Sequence, residues 1–283
     1  MELLGELQGL MIRYRFVPKR KASQHFVVNN ALVQKLVSLA LLEAGDVALE
    51  IGAGTGFLTR ELLKKCRVVA FEIDESLCGL LSRELPPEKL ALVCGDFLKQ
   101  DIPKFTKVVS LPPYSESSAI VHKLLGHDFE LAVFVFQREF AEKLVALPGF
   151  GNYSALTVLV QQRFDCRIVE RISPSCFFPR PKGESAIVVL RARDKEPKVR
   201  NQAIFRFFVK TIFRFRNKNL RNALQKARQF LLPKLKMERK EFDAKVEKLP
   251  FLEEKVKLLS VESIAEAFNQ IAAKARSPGK SKK

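Results

Sequence analysis

The sequence predicts an α/β fold, with an open and mostly parallel sheet followed by a smaller all-helical C-terminal domain. Three observations carry this. Short β-rich runs alternate with helical patterns between about residues 25 and 193. A glycine-dense turn follows the first run and opens a helix. After residue 194 the chain reads as helix alone and turns strongly basic.

The β-rich runs fall at 47–51, 68–73, 90–94, 107–110 and 132–137, with a closing pair at 166–171 and 186–191. Helical patterns such as 31–40 and 57–65 separate them. Strands joined through helices of this length imply right-handed crossovers and a parallel sheet, with antiparallel strands at its end. Beyond Asp194, Phe205, Phe208, Ile212 and Phe215 recur every three or four residues and define one buried helical face. Arg206, Lys210, Arg214 and Lys218 recur every four residues on another. Ser260 is placed as an N-cap before the stripe Val261, Ile264, Ala265, Phe268, Ile271 and Ala272. The expected division is a basic N-terminal extension over 1–24, an α/β domain over 25–193, and a helical domain over 194–283. The last is expected to end in a disordered basic tail at 277–283.

Charge is unevenly placed. Residues 195–283 hold 24 Lys and Arg against 9 Asp and Glu, so they carry most of the net +18. Arg13, Arg15, Lys19, Arg20 and Lys21 form a second basic cluster with no acid among them. A near-neutral core with basic flanks points to a polyanionic partner, most simply nucleic acid. The five cysteines show no CxxC pairing and are read as reduced thiols of a cytoplasmic protein. No apolar run has the length of a membrane span, no start has the pattern of a signal peptide, and a monomer is expected.

The turn Glu50-Ile51-Gly52-Ala53-Gly54-Thr55-Gly56 follows the first strand. Glycines at 52, 54 and 56 permit a tight turn and a close backbone approach to a ligand. The second strand ends at Glu72, which can accept hydrogen bonds from both hydroxyls of a ribose; the third ends near Asp96, placed to accept from an adenine amino group. A dinucleotide-binding dehydrogenase competes for this pattern, but predicts GxGxxG where this chain has GxGxG after an acid. The pattern resembles the class I S-adenosylmethionine-dependent methyltransferases, and the resemblance implies that cofactor, with Glu50 and the loop cradling its methionine end.

The fourth strand ends in Ser110-Leu111-Pro112-Pro113-Tyr114. This resembles the (Asn/Asp/Ser)-X-Pro-(Tyr/Phe) motif of amino-methyltransferases. An exocyclic amine on adenine is a poor nucleophile because its lone pair is delocalised into the ring. Acceptors that hold its N–H groups aim that lone pair at the methyl carbon, while the aromatic residue stacks on an extruded base. Further segments fall in order: Gln24-His25-Phe26-Val27, Gln137-Arg138-Glu139, Tyr153-Ser154-Ala155-Leu156, the loop from Pro174 to Lys182, and Phe215 to Asn222. Together they resemble the KsgA family of small-subunit ribosomal RNA adenine dimethyltransferases over roughly residues 13–230. The resemblance implies a Rossmann-like class I methyltransferase sheet with a helical RNA-binding domain, methylating N6 of two adjacent adenosines in a hairpin near the 3′ end of small-subunit ribosomal RNA during ribosome assembly.

It further implies that His25, Val27, Gly52, Gly54, Gly56, Glu72, Asp96 and Leu111 border the cofactor. Leu111, Pro112, Pro113 and Tyr114 would form the target pocket, and Phe177 would stack on the adenine opposite Tyr114. Arg13, Arg15, Lys19, Arg20, Lys21, Arg206, Lys210, Arg214, Lys218 and Arg221 would meet RNA. Immature small subunits are the implied partner, and no metal is implied. Two departures stand out: Leu111 replaces the Asn of the motif, and Glu116 replaces an apolar residue. Leu111 cannot accept a hydrogen bond, so a non-catalytic assembly factor is the alternative, and methylation of another RNA a third reading. Ser110 is a candidate substitute acceptor.

Overall fold

A computed structural model describes residues 2–19 and 24–273. The predicted tail at 277–283 lies outside the described residues. The chain divides into two compact units, residues 1–145 with 164–193, and residues 146–163 with 194–283.

The first unit holds a seven-stranded sheet. Its strands are β2 (Val47–Ile51), β3 (Arg67–Glu72), β4 (Leu90–Cys94), β5 (Lys107–Ser110), β6 (Leu131–Gln137), β7 (Phe164–Ile172) and β9 (Ser185–Ala192), in the order β4-β3-β2-β5-β6-β9-β7. The first five in that order run parallel, and β9 and β7 add antiparallel. β1 (Phe26–Val27) and β8 (Phe177–Phe178) pair separately, with Phe26 opposite Phe178 and Val27 opposite Phe177. Helices α2 (Asn30–Leu39), α3 (Phe57–Leu63), α4 (Glu75–Glu84), α5 (Ser117–Leu124) and α6 (Arg138–Leu144) separate the strands. β6 is buried along Leu131–Phe136, as expected of a strand covered on both faces.

Strands 2, 3 and 4 build the sheet in one direction while 5 and 6 build it in the other. The order therefore reverses between β2 and β5, and their carboxyl-end loops flank a crevice. At the opposite ends of these strands, Lys107 and Asp46 form an ion pair at 2.8 Å, with side chains 8% and 11% exposed. The Lys107 ammonium also donates to the Leu41 carbonyl, and Asp46 accepts from Thr106 Oγ1 and the Glu43 N–H. These partners hold the Asp46 carboxyl below its usual pKa against the opposing effect of burial.

Three expectations are corrected. Within the expected basic N-terminal extension, α1 (Glu2–Arg13) buries Leu3, Leu7 and Leu10 in the core of the first unit, and Phe16 meets Phe26 edge to face at 5.9 Å. Residues 146–163, including α7 (Ala155–Arg163), group with the helical unit rather than with the sheet. Cys78 on α4 and Cys94 at the end of β4 are joined as a disulfide, with Cα atoms 6.0 Å apart. Packing of α4 over the sheet brings together two cysteines sixteen residues apart, which a search for local spacing misses. Cys66, Cys166 and Cys176 are free.

The second unit contains α7, α8 (Gln202–Phe213), α9 (Leu220–Leu235), α10 (Arg239–Val246) and α11 (Val261–Ala272). Phe205, Phe208 and Phe268 pack ring to ring, and Ser260 caps α11 by accepting from Ser263 N–H, as the sequence predicts. Tyr153 is fully buried and donates to the Leu259 carbonyl at 2.9 Å. No helix among the described residues is long and apolar enough to cross a membrane.

Asp46→Ala strands a buried ammonium. The expected cost is about 3–5 kcal/mol of stability at neutral pH, read as a lowered denaturation midpoint. A change within the noise would show that the pair supports nothing.

Candidate active site

The crevice at the strand reversal is a cavity with about 930 Å³ of atom-free space, counting its open mouth. Gly52, Gly54, Glu72 and Asp96 line it, together with His25, Leu111, Pro112, Pro113, Tyr114 and Phe177. Ten predicted residues thus converge on one cavity.

Gly52 has φ +78°, and a Cβ there would lie 3.2 Å from Pro113 Cδ and 3.9 Å from the Leu111 carbonyl oxygen. The missing side chain allows the turn after β2 and the turn after β5 to close on one another. The Gly54 N–H donates to Glu72 Oε2 at 2.8 Å, and the N–H groups of Ile73 and Asp74 donate to Glu72 Oε1 at 2.8 and 2.9 Å. Burial raises the Glu72 pKa although these three donors favour the ionised form. Asp96 accepts from the Leu98 N–H at 2.9 Å and pairs with Lys99 at 3.4 Å. Ile73, Leu77, Phe97, Leu98 and Ile120 supply apolar walls beside these acids.

At the other turn, the Tyr114 hydroxyl lies 2.6 Å from Ser185 Oγ, and burial raises its pKa. The Tyr114 ring stacks on His25 with centroids 5.7 Å apart. His25 Nδ1 lies 2.7 Å from the Pro179 carbonyl, which ties the entry segment to the loop after β8. The stacked pair is therefore Tyr114 with His25. Phe177 lines the cavity but is only 2% exposed, and its backbone pairs with Val27.

Several expected roles change. Val27 and Gly56 do not line the cavity. Val27 is buried beside Phe177 in register, and Gly56 has φ +80°, where a Cβ would meet Leu81 Cδ2 at 2.8 Å. Gly56 therefore lets α3 approach α4. Ser110 is no substitute acceptor: its hydroxyl is fully buried and donates to the Ile51 carbonyl at 2.8 Å across the strand pair. Glu50 is 1% exposed and faces inward beneath the loop, not into the cavity. Its Oε2 has no hydrogen-bond partner, and burial pushes its pKa up to about 8. Glu116, noted only as a departure from the motif, lines the cavity.

The basic residues split. Arg13 pairs with Glu84 at 2.9 Å and Lys19 with Asp74 at 2.6 Å. Arg221 pairs with Glu247 and Glu253. These three are engaged by intramolecular acids. Arg15 is exposed with φ +51°, and Arg20 and Lys21 lie outside the described residues. Lys210, Arg214 and Lys218 are exposed, and Arg214 lies over the Phe230 ring at 5.2 Å; Arg206 is half-buried. Because α8 ends at Phe213, the four-residue stripe continues into a turn rather than along one helix.

A reversed-order parallel sheet, a GxGxG turn answered by a strand-end acid, and a Pro-Pro-Tyr turn at the same crevice define a class I methyltransferase. That class implies S-adenosylmethionine as the methyl donor. Residues 15–272 match the family described as ribosomal RNA adenine dimethylase, and the chain belongs to that family, an enzyme family acting on ribosomal RNA. A protein of Thermococcus gammatolerans named as a probable ribosomal RNA small subunit methyltransferase A is 36% identical over 260 residues, 91% of each chain. A dimethyladenosine transferase from Plasmodium falciparum superposes with TM-score 0.74 at 27% identity, covering 87% of this chain and 98% of that one. The 23S rRNA methyltransferase ErmE gives TM-score 0.61 at 27% identity, covering 88% and 100%.

The buried Glu50 predicts a pH dependence. Between its ordinary value of 4.5 and about 8, the folded protein holds a proton that the unfolded chain has released. Stability therefore falls as pH rises through that window. Glu50→Gln is expected to flatten the fall, so that the melting temperatures of variant and parent diverge in the variant's favour from pH 5 to pH 8. Parallel profiles would show that Glu50 does not titrate there.

Proposed function

We propose that this enzyme dimethylates N6 of two adjacent adenosines in a hairpin near the 3′ end of small-subunit ribosomal RNA, on immature subunits. The observation that carries the reading is the convergence of Gly52, Gly54, Glu72 and Asp96 with Pro112, Pro113 and Tyr114 on one cavity. The T. gammatolerans relative's name supports the small-subunit substrate.

Glu72 would hold the ribose hydroxyls of the cofactor, Asp96 the adenine amino group, and the Gly52–Gly54 turn the methionine end. The bound donor supplies an electrophilic methyl on a sulfonium. Tyr114 stacks on the flipped adenine, held by its hydroxyl contact with Ser185. The Pro112 carbonyl and the Glu116 carboxylate are the acceptors this chain offers the amine near Tyr114. These acceptors would take the N–H bonds of the amine and aim its lone pair at the donor's methyl carbon. Positioning and electrostatics supply the acceleration. Exposed Lys210, Arg214 and Lys218 would meet phosphates, giving affinity without sequence readout.

One observation favours the slow or assembly-only alternative: Leu111 offers no side-chain acceptor, and Ser110 is locked onto Ile51. Labelled-cofactor transfer to immature small subunits, followed by mass spectrometry of the hairpin, tests both readings. Methylated adenines in the hairpin are expected, and Leu111→Asn is expected to raise kcat by about 10²-fold with unchanged cofactor affinity. Methylation elsewhere would refute the proposed site. Fast turnover that Leu111→Asn does not increase would refute the role given to Leu111.

A further inference from the structure

The helical unit displays three large apolar side chains to solvent around a single backbone contact. The Gly149 N–H donates to the Lys257 carbonyl at 2.7 Å, and a Cβ on Gly149 would lie 3.5 Å from Leu258 Cδ2. Leu147, Phe150 and Leu258 surround that contact and are 61%, 62% and 47% exposed. Exposure of this size in a close group marks an interaction site rather than scattered surface hydrophobes.

The loop is held in this shape. The Phe150 N–H donates to the Leu147 carbonyl at 3.3 Å, and the Tyr153 N–H to the Phe150 carbonyl at 3.1 Å. Arg216 Nη2 donates to the Phe150 and Gly151 carbonyls at 3.4 and 3.2 Å. Buried Tyr153 anchors the loop's end through Leu259. Phe150 is thus projected from a braced turn, with little ordering left to do on binding.

The segments bonded to this loop through the backbone carry cations. The Lys257 N–H donates to the Arg216 carbonyl and the Val256 N–H to the Lys218 carbonyl, so Lys218, Lys255 and Lys257 belong to the same turn pair. Of the neighbouring acids, Glu253 is taken up by Arg221 and Asn219. An exposed aromatic ring on a turn pair whose backbone segments carry lysines suits a nucleobase with its flanking phosphates.

We infer that this turn pair is a second RNA-contacting surface, separate from the cavity, where Phe150 stacks on an unpaired base and Lys218, Lys255 and Lys257 meet the adjoining phosphates. It rests on the ribosomal RNA reading above, but involves none of the cavity residues.

The chain contains no tryptophan, so Phe150→Trp installs a single reporter. Titrating the full-length variant with a 3′-terminal fragment of small-subunit ribosomal RNA is expected to quench its fluorescence. Phe150→Ala is expected to weaken binding of that fragment about tenfold without changing the salt slope. Lys255→Ala and Lys257→Ala are expected to lower the slope by about one each. Cofactor affinity is unchanged in all of them. Unquenched fluorescence with full affinity in Phe150→Ala, while the parent binds RNA, overturns the inference and leaves the proposed function standing. A parent that binds no ribosomal RNA overturns both. Weakened binding to subunit particles but not to naked RNA reassigns the surface to a protein partner and also overturns the inference.

Discussion

The active-site cavity depends on how closely two strand-end turns can approach at the sheet's reversal point. Gly52 is the residue that sets this distance. Its positive φ turns the chain after β2, and its bare α-carbon leaves 3.2 Å between an imagined Cβ and Pro113. A side chain there would press on Pro113 and so on the Pro112–Tyr114 turn, which on the proposed reading frames the target base beside the methyl donor. Because reactive geometry tolerates little displacement, a methyl-sized obstruction far from the reacting atoms would be felt in the rate.

Around that approach the acids take different states for different reasons. Glu72 is fixed by three backbone N–H groups before any ligand arrives, so its orientation requires little reorganisation on binding. Glu50, two residues before Gly52, is buried with one oxygen unpartnered, and burial favours its neutral form. Two carboxylates that look alike in the sequence thus differ in setting: Glu72 lines the cavity, and Glu50 is buried away from it. Leu111 adds an apolar wall to the cavity, and on the proposed reading this leaves the Pro112 carbonyl and Glu116 as acceptors for the amine.

The fold was legible where local signals suffice. Strand runs and glycine turns identified the parallel strands nearly to the residue, because burial on both faces of the inner strands demands continuous apolar runs. The candidate site was legible where topology forces strand ends to one edge, which brings Gly52, Glu72, Asp96 and Tyr114 together. It was not legible where a side chain's partner lies far along the chain. Lys19 and Arg221 read as cations for RNA until Asp74, Glu247 and Glu253 are placed beside them. Phe150 carried no signal of its own, since one Phe in a glycine-rich loop reveals nothing of its exposure.

By itself, the sequence determined the order of elements, the ligand edge of the sheet, the basic helical region and the family. The elements and the basic region follow from periodicity, turn chemistry or composition within short windows, while the family follows from the resemblance of several motifs in order. Tertiary structure alone decided that α1 belongs to the core, that residues 146–163 join the helical unit, and that Cys78 meets Cys94. It also turned the Ser110 hydroxyl toward Ile51, so that the polar residue beside Leu111 cannot stand in for it. These outcomes depend on packing between segments distant in the chain, where the favoured partner is set by burial and register rather than by neighbours in sequence.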